Sequence, residues 1–230
     1  DDAVNAMIAR SLDVNSVNSI LYQTLGEVAS RHYRFSEGLE FQYAALEMDP
    51  KNVKAREGYS LDLLRLGREA EGRRELERVF EDFPYSVATY NMLELMDTLD
   101  GFAVLQRGDF TLKLPVDEQP VMGDLALDLL DEAIDLYEAK YKVELEKPVL
   151  IEMFDNHDDF MVRSVGLPGN VGHMGICFGK LITMDAPSVR PRGSSNWRSV
   201  LWHEFVHVIT LQKTNNRMPR WLSEGISVYE

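Results

Sequence analysis

A single cysteine, Cys177, excludes an intrachain disulfide and any CxxC redox or metal motif. No apolar run approaches the roughly 20 residues that a membrane-spanning helix needs. Basic residues are the minority: 24 Lys and Arg against 38 Asp and Glu leave a formal net charge of −14. Such a surface repels nucleic acid and anionic lipid, so neither is expected as a partner. An initiator methionine and a signal-like segment are missing too, since the chain opens on Asp1 and Asp2. It reads as a processed or trimmed chain. It stops at Glu230 inside a helix-like pattern, so the natural protein is expected to continue. What is present, 45% hydrophobic residues in 230 positions, suffices for one large or two modest domains with real cores.

The first half carries an internal period. Pro50 and Pro84 stand 34 residues apart, and the same offset links Arg34 to Arg68, Glu37 to Glu71 and Gly38 to Gly72. Small residues at Gly38 and Gly72 allow helices to cross closely, and the prolines stop each second helix. Thirty-four residues is the period of the tetratricopeptide repeat, a helix–turn–helix unit, and residues 19–52 resemble it. Tyr22 stands at its aromatic position, Leu25–Gly26 at its Leu-Gly pair, Ala45 at its small residue and Pro50 at its closing proline. Residues 53–86 fit less well, with Arg56 where an aromatic is usual. The helix beginning near Ser86 is expected to cap the stack. No catalytic pattern appears here, and the resemblance implies docking or spacer helices. His32 is expected between helices or at the surface.

After Asp100 the pattern changes to short β-like runs. Residues 102–115 read as two strands about the Gly108–Asp109 turn signal. Residues 123–141 form an amphipathic helix, 148–154 a strand and 157–165 a short helix. Then GLPGNVGHMG (166–175) places glycine at every third position without matching a phosphate-binding pattern. It reads as a flexible loop. ICFGKLITMD (176–185) reads as one strand, and 187–196 as a polar link into the next helix. This alternation predicts an α/β or α+β arrangement with a mixed sheet. The expected organisation is therefore a helical hairpin array over 1–99 followed by an α+β domain over 100–230.

That next helix is NWRSVLWHEFVHVITL (196–211), apolar on every side apart from a few groups. An all-round apolar helix is normally buried, and each polar group buried without a partner costs about 1–3 kcal/mol. His203 and His207 are four residues apart and so project from one face, one turn above the other. Two imidazoles at that spacing can grip one zinc ion, and Glu204 falls beside the ion rather than on it. A catalytic zinc needs a third protein ligand and an open position. Downstream, Thr214–Asn215–Asn216 breaks the helix and Pro219 suits the start of another. That second helix is expected to pack through Trp221, Leu222, Ile226 and Val228. Folding back as a hairpin, it can turn Glu224 towards the two histidines.

HEFVH followed by WLSEG resembles the gluzincin metallopeptidases, and the aminopeptidase branch with WLNEG is similar in motif. An α/β segment leading into HExxH also resembles the peptidase MA-like domains attached to tetratricopeptide repeats in bacteria. The resemblance covers residues 100–230, with the repeats adding 19–98. It implies a zincin-like domain with active-site helices, incomplete at its C-terminus, and one bound Zn2+ held by His203, His207 and Glu224. It implies Glu204 as general base in hydrolysis of peptide bonds through a metal-activated water, so that the chain is an enzyme, a zinc metallopeptidase acting on a peptide or protein. The helical repeats would dock a partner or substrate.

Two departures limit the carry-over. The exopeptidase GAMEN segment is absent, which argues against importing aminopeptidase activity. The Tyr or His that stabilises the oxyanion beyond the third ligand has no counterpart before Glu230. No substrate-binding residue is assigned by sequence. In gluzincins the strand before the HExxH helix forms the cleft edge, which points to 176–185, and His173 just before it reads as a plain loop histidine more readily than as a substrate contact. Two rival readings stand beside the peptidase: a repeat scaffold with an inactive or structural metal site, and a metallohydrolase of a non-peptide amide. One cysteine and no visible targeting segment fit a cytoplasmic or an exported protein, and the family resemblance leans towards an exported, periplasmic bacterial one.

Overall fold

The computed structural model describes residues 2–230. Its contacts divide the chain into two compact units, Asp1–Ser86 and Val87–Glu230.

The first unit is helical. α1 (Asp2–Val14) is followed by two hairpins, α2 (Ser19–Arg31) with α3 (Phe35–Met48), and α4 (Val53–Arg65) with α5 (Glu69–Asp82). Their starts at 19 and 53, and at 35 and 69, repeat the offset of the prolines. Each hairpin opens alike: Asn18 accepts from the Leu21 N–H and Asn52 from the Ala55 N–H, satisfying one free donor of the first turn. α2 packs on α3, α3 on α4 and α4 on α5. His32 is exposed.

Close helix approach is what the glycines permit. A Cβ on Gly72 would lie 2.6 Å from Leu64 Cδ2 and 3.0 Å from the Ser60 carbonyl oxygen, and one on Gly38 would lie 2.5 Å from Asp62 Oδ2. Asp62 is buried there, donated to by Ser30 at 2.5 Å and by Arg65 at 3.1 Å. Burial outweighs those partners and pushes its carboxyl up to about 6. At an exposed helical site, Gly→Ala stabilises by about 1 kcal/mol. Gly72→Ala should instead destabilise the first unit by about 1–2 kcal/mol, because overpacking costs more than the propensity gain. Urea unfolding followed by far-UV circular dichroism reads the sign.

The second unit is a five-stranded mixed sheet with helices on both faces. α6 (Val87–Leu99) leads into β1 (Ala103–Arg107) and β2 (Phe110–Leu114), a hairpin turned at Gly108 with φ 53. α7 (Gln119–Tyr141), β3 (Val149–Phe154) and α8 (His157–Val165) follow. β4 (Gly175–Cys177), β5 (Leu181–Asp185), α9 (Trp197–Lys213) and α10 (Arg220–Tyr229) complete it. The strand order is β1-β2-β3-β5-β4, with β2-β3 and β3-β5 parallel and the outer pairs antiparallel. α7 and α9 cover one face, where Phe110 stacks edge-on against Phe205. α8 covers the other, where its Arg163 forms a two-pronged ion pair with Glu152 of β3, both buried.

Two expectations change here. Residues 176–185 are not one strand. They form the β4–β5 hairpin around Gly179, whose φ of 94 is the left-handed conformation glycine adopts freely. And α6, expected to close the helical stack, belongs to the sheet unit, where it packs on α8. No described helix is long and apolar enough to cross a membrane.

Candidate metal centre

α9 runs across the sheet with residues 201 to 211 largely buried, Leu201, Phe205, Val206, Val208 and Ile209 having no exposed surface. Asn196 caps it by accepting from the Arg198 and Ser199 N–H groups. Trp202 donates to the Tyr137 hydroxyl at 2.7 Å, tying α9 to α7. This packing fixes one helical face, and the two histidines stand on it.

The structure brings His203, His207 and Glu224 together as one group able to hold a metal ion. His203 Nε2 and His207 Nε2 are 3.2 Å apart, and Glu224 Oε2 is 3.4 Å from each. Donors placed tetrahedrally around one zinc at Zn–N and Zn–O distances near 2.0–2.1 Å stand about 3.3–3.4 Å from one another. The three residues therefore fit that ion in both donor type and spacing. Burial lowers the His207 pKa, against the pull of Glu224, so the ring favours the neutral form that ligands require. Arg220, one turn earlier on α10, lies 3.4 Å from the other Glu224 oxygen and leaves Oε2 to the histidines.

Glu204 lies outside this trio. It is 93% buried against β4, where the Cys177 backbone N–H donates to it. A Cβ on Gly175 would sit 2.7 Å from Glu204 Cγ, so only glycine lets the strand pass this near. Burial, then the charge of Glu224, push the Glu204 carboxyl up to about 8. A bound divalent cation would reverse that local field.

The α9–α10 hairpin forms as expected, but α10 turns a different side inwards. Trp221, Leu222 and Val228 are exposed and Ile226 is half-buried, while the buried positions are Ser223 and Ser227. Bulky side chains there would hold α10 away from His207; two serines one turn apart let it approach. That four-residue serine spacing on either side of Glu224 was the available signal, and it was masked by the more conspicuous Trp and Leu.

A second polar cluster, missed by sequence reasoning, holds the glycine-rich segment. His157 Nδ1 lies 2.9 Å from Asp185 Oδ1, and its Nε2 lies 2.6 Å from the Asn170 carbonyl. Both partners accept, an arrangement that favours the imidazolium, which donates from both nitrogens. Burial lowers its pKa, but the Asn170 carbonyl and Asp185 carboxylate outweigh it and the net shift is upwards. Arg190 donates to Asp185 and also to the His173 carbonyl. The loop before β4 is thus tied through its backbone at Gly169, Asn170, His173 and Met174 rather than free. The His173 side chain is exposed.

Searches against protein-family models, curated proteins and solved structures found no match to this chain.

Proposed function

We propose that residues 100–230 belong to a zincin-like, gluzincin-type zinc metallopeptidase, and that the hairpins before them are tetratricopeptide-like repeats that dock a partner or substrate. The observation that carries this reading is the mutual spacing of the three donors, His203, His207 and Glu224. The chemistry that zinc supplies when bound is Lewis-acid polarisation of a carbonyl and acidification of water towards a pKa of about 7.

The chain's own part is acid–base work and positioning. Glu204 follows His203 directly yet is excluded from the donor trio, so its carboxyl is free to take a proton from water and hand it to the leaving nitrogen. Its burial beneath Gly175 keeps bulk water from competing for that proton. β4 is an outer strand of the sheet, beside Glu204, the kind of position where an extended peptide can add as a further strand. That arrangement suits a peptide substrate better than a compact amide.

The purified chain should hold about one zinc ion and cleave an unfolded protein such as casein. A chelator should stop cleavage, and added zinc should restore it. Zinc content without cleavage of any peptide would favour the repeat-scaffold reading, and a zinc-free protein would remove the site.

A further inference from the structure

The hydroxyl groups around His207 form a directed chain. Thr210 Oγ1 lies 3.3 Å from the His207 carbonyl oxygen and 2.8 Å from Ser223 Oγ, which lies 2.8 Å from His207 Nδ1. Ser227 Oγ is a longer neighbour of the same nitrogen, at 3.3 Å. A carbonyl oxygen only accepts, so the Thr210 proton goes there. Thr210 Oγ1 must then accept the Ser223 proton, and Ser223 meets His207 Nδ1 with a lone pair. Nδ1 is therefore the nitrogen that carries hydrogen, and the lone pair of the neutral ring is on Nε2. Nε2 is the atom 3.4 Å from Glu224 Oε2. Thr210, Ser223 and Ser227 are 2%, 4% and 4% exposed, so water does not compete for these bonds.

We propose that Ser223 is a positioning residue that fixes the tautomer and ring angle of His207 so that Nε2 faces the metal, with Thr210 setting the direction of the Ser223 hydroxyl. This rests on the reading that His203, His207 and Glu224 bind zinc. A ligating histidine usually gives its second N–H to a carboxylate, a backbone carbonyl or water. Here a neutral hydroxyl takes that place, and it is one residue from Glu224 on the same helix. One element thus brings the third ligand and the group that aims the second.

Ser223→Ala should weaken zinc binding about 10- to 100-fold, the usual cost of losing an outer partner, measured by competition with a chromophoric chelator. The visible spectrum of the cobalt-substituted protein should also change, which a merely structural serine would not cause. Thr210→Val, of similar shape but without the hydroxyl, should weaken binding in the same direction, and Thr210→Ser should restore it. In the zinc-loaded wild type, the ¹⁵N signals of His207 should report hydrogen on Nδ1. Hydrogen on Nε2 overturns the proposal. So does a Ser223→Ala protein with wild-type zinc affinity and cobalt spectrum, and in that case the metal site itself stands because the wild type still binds. A wild type that binds no zinc overturns both.

Discussion

Glu204→Gln should lower peptide hydrolysis by about 100- to 10,000-fold, the range contributed by a positioned proton-transfer group, and leave zinc content unchanged. Glutamine keeps the shape of the side chain and an oxygen to accept from Cys177 N–H, but cannot take a proton from water. The fold should tolerate it, because burial already pushes this carboxyl up to about 8, so that the metal-free protein holds it largely neutral at pH 7. A glutamate raised from 4.5 when folded binds its proton more tightly in the native state than in the unfolded one. Its stabilising effect is then complete at low pH and lost as pH rises through 4.5 towards about 8. Glu204→Gln should remove that part of the pH dependence from metal-free unfolding curves. A variant with full activity and bound zinc would show that another group moves the proton.

Glu224→Ala should reduce zinc affinity by more than about 100-fold, since losing a direct donor costs more than losing an outer partner. Two imidazoles would remain, without the one carboxylate donor in the trio. The charge that helps raise the Glu204 pKa would also go, so that carboxyl should titrate lower. Arg220 would lose its partner on α10 as well, but a half-exposed pair of this kind is worth only about 0–1 kcal/mol. Loss of zinc with a nearly unchanged unfolding midpoint of the metal-free protein is therefore the expected pattern. His203→Ala should behave alike. Unchanged metal stoichiometry in either variant would remove that residue from the ligand set.

Much of this arrangement is legible in the residues. The repeat of prolines and glycines at 34 positions marks where the hairpins of the first unit start, because a proline stops a helix and a glycine marks a close crossing. Gly108–Asp109 marks the β1–β2 turn for the same local reason. The site is legible because His203 and His207 share a face by helix geometry alone, and a buried face must satisfy them. Harder to read are features that depend on what lies opposite. β4 is three residues long, too short for alternation to show, and it is separated from β5 only by the Phe178–Gly179–Lys180 turn inside an apolar run. The inner side of α10 is chosen by its need to come near His207, so serine outranks tryptophan there. The His157–Asp185–Arg190 ties and the Glu152–Arg163 pair join distant parts of the chain, and no local spacing announces them.

The way α10 is held has a thermodynamic consequence. Its inner face buries two serines, Trp221, Val228 and Tyr229 face outwards, and its end is fastened by Glu230 to Lys140 and Tyr141. Little apolar area holds it in place, so it belongs among the elements that open at the lowest free energy. Because Glu224 and Ser223 both travel with it, an open α10 has no site, and a bound ion counts only towards the closed form. On the proposed zinc site, metal concentration would then control local order: hydrogen exchange in residues 220–229 should slow in proportion to free zinc above its dissociation constant, while α9 and the strands exchange as before.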